Sequence, residues 1–383
     1  MRDLIKCSFC ACLFVLSAVT MLYGQQNDHI ETRWKDYIHL RDYLVPFWQA
    51  DTVYDEIIQI IKDGDLAQGT LLFSAKKILS VRSADLKKEF VKDKDWIYKD
   101  RRIVLPPGSA IPYINKKDLL FNVERPGWSM AGKTKGTFVL FSESTYFRSM
   151  QITVSYIPEK NSRWKGPRPI FEEKRLPLTV AKLKTGDTVK VVFYGNSIET
   201  GANSSGFQNQ SPYMPSWPQL IIYNLREAYG PRIKFSNKSV GGKIARWGLE
   251  NVSVVVDQRP DLVIIGFGMN DGSLKVPPGA YRQTIAGIID SVRMRNPRVE
   301  FILIAPILAN PDAIQSGIQA LYKGELDKLA GTGIVVADLT TVHQELLKHK
   351  RFQDMTGNNV NHPNDYLARW YAQFISGLLI KYN

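Results

Sequence analysis

The residues best equipped for chemistry are a serine and a histidine far apart in the chain. Ser197 lies in Phe193-Tyr194-Gly195-Asn196-Ser197-Ile198-Glu199-Thr200-Gly201, and His362 in Asn361-His362-Pro363-Asn364-Asp365. A serine hydroxyl becomes a useful nucleophile only when a neighbouring base takes its proton, and imidazole is the side chain suited to that near neutral pH. Two segments between them carry hydrogen-bond donors. Asn237-Lys238-Ser239-Val240-Gly241-Gly242 offers glycine N–H groups, and Gly266-Phe267-Gly268-Met269-Asn270-Asp271 offers a side-chain amide. Acyl transfer needs this set: a nucleophile, a base and donors for the developing oxyanion. Taken singly, each segment also reads as an ordinary turn, since turns use Gly, Asn and Ser.

Their placement makes them a set. Val189–Tyr194, Ile233–Phe235, Leu262–Phe267, Phe301–Ala305 and Ile334–Ala337 are continuous apolar runs, the pattern of strands buried on both faces. Helical stretches alternate with them, at about Pro218–Tyr229, Tyr281–Arg295, Ala313–Leu329, Val342–Lys348 and Asp365–Leu379. Alternating strand and helix predicts a parallel, doubly wound α/β sheet, whose ligands gather at the carboxyl ends of the strands. Three of the segments follow the first, second and third runs, and His362 follows the fifth, so one rim collects them all.

The first half has a different rhythm. Thr70–Phe73, Lys77–Val81, Arg102–Leu105, Thr137–Phe141 and Gln151–Tyr156 are short β-prone runs separated by turn residues, which predicts a β-sandwich. Asp51–Lys62 reads as one helix at its edge. From Pro158 to Pro177 the chain is charged and Pro-rich and reads as a surface-wrapping linker. The expected division is a signal peptide over 1–24, a β-sandwich-like domain over 25–160, a linker over 161–187 and the α/β domain over 188–383.

Arg2 and Lys6 precede an apolar run from Phe9 to Leu22, followed by Tyr23-Gly24-Gln25-Gln26, the order of a cleaved secretory signal. The expectation is a secreted or periplasmic protein with no stable membrane anchor. Cys7, Cys10 and Cys12, the three cysteines of the chain, fall inside that signal, so no disulfide or cysteine metal site is expected beyond it. The formal charge of +13 is dispersed among interleaved acids, and no basic tail or nucleic-acid motif accompanies it. Nucleic acid is therefore not an expected partner. Gly127-Trp128-Ser129-Met130-Ala131-Gly132-Lys133-Thr134 fits the phosphate-loop pattern, but Lys135-Gly136 and β-prone Thr137–Phe141 follow where that loop needs a helix. A hairpin loop is the expectation there. No calcium, zinc or dinucleotide motif is present, and no cofactor is expected.

The segment from about Val189 to Asn383 resembles the SGNH (GDSL-type) hydrolase superfamily, whose four blocks occur here in order. The resemblance implies a three-layer α/β/α, flavodoxin-like domain. In it Ser197 is the nucleophile and His362 the base, with an oxyanion hole formed by the Ser197 N–H, the Gly242 N–H and the Asn270 amide. A β-rich domain ahead of such a domain also resembles bacterial carbohydrate esterases. That implies an acylated carbohydrate as substrate, most specifically an O-acetyl group on a poly- or oligosaccharide. Trp217 and Trp247, close to the blocks, are candidate sugar-stacking residues. A lipase or thioesterase for longer acyl chains, or a carbohydrate-binding protein with a decayed site, are the alternatives.

The sequence departs from the family pattern twice. Asn196 stands where the first block usually has an acid, and Asn359 where the triad acid is usually found, three residues before the histidine. Either the pair works as a dyad with Asn359 as a neutral orienting group, or another carboxylate takes over. Asp354, Asp338 and Asp365 are the candidates, with Asp354 favoured because its loop leads into His362. His343 and His349, on a short polar helix, and His29 and His39 are expected at the surface.

Overall fold

The structure is a computed structural model that describes residues 28–382. The expected signal peptide and its cysteines lie outside the described residues. The second half forms a five-stranded parallel sheet: β1 (Val189–Gly195), β2 (Ile233–Asn237), β3 (Leu262–Gly266), β4 (Glu300–Ala305) and β5 (Ile334–Asp338). The spatial order is 2-1-3-4-5. In that order the connections reverse direction beside β1, and ligands of doubly wound sheets sit at that crevice.

Alternation along the strands sorts the two faces. Val189, Val191, Phe193, Ile264 and Ile304 pack on one side with helices α1 (Trp217–Tyr229) and α3 (Asp365–Leu379). Val192, Tyr194, Val263, Ile265 and Leu303 pack on the other with α2 (Pro278–Arg295). This is the expected three-layer SGNH-type α/β fold. Tyr281 and Tyr322 stack at 4.1 Å under the second face.

The N-terminal region forms small sheets. Gln151–Pro158 lies between Val53–Gln59 and Ala75–Ser83 in an antiparallel sheet. A five-stranded sheet runs Ile97–Lys99, Arg102–Val104, Leu66–Thr70, Ile61–Asp63, Ile114–Asn115. The expected helix over Asp51–Lys62 is therefore two strands. Val53, Ile57, Ile58, Ile60 and Ile61 are all buried, and β-branched side chains on both faces fit a pleated sheet better than a helix. Of the expected run Thr70–Phe73 only Thr70 belongs to a strand, as the last residue of Leu66–Thr70. The phosphate-loop look-alike is a hairpin: Ser129–Ala131 pairs with Phe138–Leu140, and the Gly132 N–H donates to Thr137 O.

These sheets share one apolar cluster with the α1/α3 face, from Ile57, Val154 and Tyr156 to Tyr366, Trp370 and Phe374. Polar ties run the same way. The Lys350 ammonium meets the Glu56 carboxylate with both side chains fully buried, and Arg148 pairs with Asp365 at 2.9 Å. The Pro-rich stretch lies on this body. Trp164 is buried with its ring 4.7 Å from that of Trp370, and the Glu172 N–H donates to Leu378 O.

Two expectations on the α/β side need correction. A helix Pro177–Thr185 lies in the segment read as linker. The helix expected over Ala313–Leu329 is mostly loop, with a helix only at Tyr322–Asp327 after a short 3-10 turn. Gly317 explains the difference: a Cβ there would run into Gly272 O, so this loop is pressed onto the backbone around Asn270. Among the described residues no helix is long and apolar enough to cross a membrane.

Candidate active site

β1 ends in Gly195, and Asn196 caps a single helical turn, Ser197–Thr200. The Asn196 side-chain oxygen accepts the Ile198 N–H, and the Glu199 carboxylate accepts the Asn196 N–H at 2.8 Å. That reciprocal cap fixes the turn and leaves Ser197 at its first position, where a backbone N–H has no intrahelical acceptor. The Glu199 side chain folds back beneath the strand ends. A Cβ at Gly195 or Gly266 would run into its carboxyl oxygens, so both positions require glycine.

Burial pushes the Glu199 carboxyl up to about 8, against the backbone hydrogen bonds that pull it down. The folded protein then holds a proton that the unfolded chain loses near its ordinary value of 4.5. The stability from this group is complete below that value and declines as pH rises to about 8. Glu199→Gln should flatten this slope. The check is the melting temperature of both proteins across that window, where a parallel fall would contradict it.

The second block turns beside the nucleophile. Lys238 and Val240 N–H groups donate to Phe193 O and Gly195 O, tying the turn to the end of β1. A Cβ at Gly241 would lie 3.8 Å from the Ser197 Cβ. Gly242, exposed and at φ +75°, then reverses the chain. The third block is tied to the second: the Asn270 amide donates to Lys243 O at 2.9 Å. Asp271 accepts N–H groups from Ala245 and Gly268. Burial pushes the Asp271 carboxyl up to about 6. Asn270 is thus tied to the residue that follows Gly242, in the turn whose Gly241 lies beside Ser197.

His362 comes from the loop before α3. Its Nε2 lies 2.8 Å from Ser197 Oγ, a hydrogen bond between residues 165 apart in the chain. Asn358 shapes that loop, its side-chain oxygen accepting the N–H groups of Val360, Asn361 and His362. On its other nitrogen, His362 Nδ1 faces Asn203 Oδ1 at 2.7 Å and Glu143 Oε2 at 3.1 Å. The Asn358 amide also donates to Glu143 Oε1 at 3.0 Å. Its partly buried place pushes the Glu143 carboxyl up, but the charge and hydrogen bond of His362, with the Asn358 bond, hold it below the ordinary value.

The sequence reading missed Glu143 and Asn203. Neither sits in a motif, although Asn203 closes the same loop as Ser197. The positions it favoured are elsewhere. Asn359, at φ +64°, turns its amide to Leu140 O and its oxygen to Gln353 and Asn310. Asp354 is fully buried beneath the N-terminal sheet, accepting the N–H groups of Gln59 and Arg351. Burial pushes its carboxyl up although Lys350 pulls the other way. Asp338 caps the helix Leu339–Leu347, and Asp365 pairs with Arg148. Trp217 is a core residue whose indole N–H donates to Ile198 O, so it offers no face to a sugar. Trp247 is half-buried, tilted against Tyr194 with Lys243 over its ring. His343, expected at the surface, is buried: its Nδ1 accepts the Leu308 N–H, and burial lowers it to about 3.

Residues 193–369, which include Ser197, Gly242, Asn270 and His362, match the model of the GDSL-like lipase/acylhydrolase family. That segment is similar to this family over the whole stretch from the end of β1 into α3. The chain is also similar to an arylesterase of Vibrio mimicus, 30% identical over 105 residues, which are 27% of this chain and 48% of the relative. The chain thus spans about half the length of that curated relative. Among solved structures, a two-domain esterase (CEX) active on acetylated mannans is similar at 20% identity and a TM-score of 0.44, covering 56% of this chain and 55% of that one. A carbohydrate esterase family 3 structure from Talaromyces cellulolyticus is similar at 18% identity and a TM-score of 0.40, covering 49% and 95%. Among the described residues no cluster of His, Cys, Asp or Glu could hold a metal ion.

Proposed function

We propose that the protein hydrolyses ester-linked acyl groups through Ser197 and His362. The 2.8 Å contact between Ser197 Oγ and His362 Nε2 carries this reading. In the proposed step His362 takes the hydroxyl proton while Oγ bonds to the ester carbonyl carbon. The carbonyl electron pair moves to oxygen, where the Ser197 and Gly242 N–H groups and the Asn270 amide receive it. Collapse expels the alcohol, which takes the proton from His362. Water, deprotonated by the same imidazole, then releases the acid from the acyl-enzyme.

Within that class we propose a short acyl group on a polar carrier, most specifically O-acetyl on a carbohydrate, acting outside the cytoplasm. The groups that meet Ser197 directly or through His362 are small or polar: Gly241 and His362 beside it, and Asn203 and Glu143 behind the imidazole. Acetate fits beside such groups, whereas a long chain would leave its methylenes against polar atoms at about 0.8 kcal/mol of forgone burial each. Chromogenic acetyl and octanoyl esters should be turned over with a clear preference for acetyl, and acetate should be released from an acetylated polysaccharide. Preference for octanoyl would favour a lipase instead.

A further inference from the structure

We propose that Glu143, from the N-terminal region, and Asn203, from the GDSL segment, together replace the missing triad carboxylate as partners of His362 Nδ1. This rests on the reading of Ser197 and His362 as an acyl-transfer pair. A triad acid does two jobs: it fixes the imidazole tautomer, and it stabilises the imidazolium that forms when the serine proton arrives. Here the jobs are divided. Asn203 Oδ1, at 2.7 Å, can only accept, so it holds the proton on Nδ1 and leaves Nε2 free to take the one from Ser197. It carries no charge. Glu143 Oε2, at 3.1 Å on the same nitrogen, supplies the charge.

Both groups are held for the task. Asn203 sits at φ +65°, a conformation asparagine tolerates better than most residues, and its amide faces Gly357 O at 3.4 Å. Glu143 is pinned by the Asn358 amide, and the oxygen of the same Asn358 collects the His362 N–H. One side chain therefore sets the spacing of imidazole and carboxylate. The loop around Glu143 is anchored to the GDSL segment as well, since the Gln208 amide donates to Ser144 O at 3.1 Å. The Glu143 carboxyl is held below its ordinary value, so it stays ionised while His362 takes up and returns its proton. No proton needs to pass to Glu143.

Glu143 is a positioning and electrostatic residue, and its side chain is 40% exposed. Water screens such a pair, so losing it should cost less than the roughly 10⁴-fold seen when a buried triad aspartate is neutralised. Glu143→Gln should lower kcat on an acetyl ester by about 10²-fold with KM little changed. Asn203→Asp in the Glu143→Gln background puts a carboxylate at the closer position and should restore most of kcat. A change in fold alone would not split kcat from KM in this way and would not be rescued by a carboxylate in place of Asn203. Independently of turnover, the Glu143 carboxyl, followed by carbon NMR, should titrate at higher pH in His362→Ala than in the unaltered protein. Unchanged kcat in Glu143→Gln, or a Glu143 titration indifferent to His362, would overturn the proposal. Absence of ester hydrolysis by the unaltered protein would instead count against the hydrolase reading, and the NMR titration would still decide the coupling.

Discussion

Ser197→Ala should abolish ester hydrolysis, with kcat falling by about 10⁶-fold while the melting temperature stays within a degree or two. The size of the loss follows from the geometry. The hydroxyl is the atom that would bond to the acyl carbon, and its 2.8 Å contact with His362 Nε2 would activate it. Ser197 is only half-buried, and its side chain supports no core packing, so little stability should go with it. Steady-state rates on a chromogenic acetyl ester, with a thermal melt of the same sample, provide the check. Turnover within tenfold of the unaltered protein would rule out this mechanism.

The largest stability effect should come from Lys350→Met. Lys350 meets Glu56 with both side chains fully buried, bridging the loop before α3 and the first N-terminal strand. Removing one partner leaves a carboxylate in the interior without its counter-ion, which typically costs about 3–5 kcal/mol. The Tyr156 hydroxyl and the Leu72 N–H still donate to Glu56 and soften the loss, which favours the lower end of that range. Glu56→Gln/Lys350→Met removes both charges and should recover much of the difference. Denaturant unfolding of the single and double variants tests this; a double variant no more stable than Lys350→Met would contradict it.

How much the sequence revealed depended on whether a residue's position repeats a local rule. The five buried strands were legible because a strand covered on both faces must be apolar throughout, and with them the places of Ser197, Gly242 and Asn270 just beyond the carboxyl ends of β1, β2 and β3. The partner of His362 was not. Glu143 stands in Ser142-Glu143-Ser144, a polar loop whose composition says only that it meets water, and it reaches the histidine through tertiary packing alone. Asn359 misled for the opposite reason. It occupies the customary position in the sequence, but a left-handed backbone turns it towards Leu140 O. Asp51–Lys62, read as one helix, is two strands because its β-branched residues are buried on both faces.

Every residue of α3, from Asp365 to Leu379, is buried. An amphipathic helix on the outside of a doubly wound domain would keep one face wet; this one is roofed by Phe47 and Trp48, whose rings lie 4.9 Å and 6.0 Å from that of Trp370. The chemistry-bearing half is therefore not a portable module. Stripping away the N-terminal region would turn the apolar outer face of this helix to water.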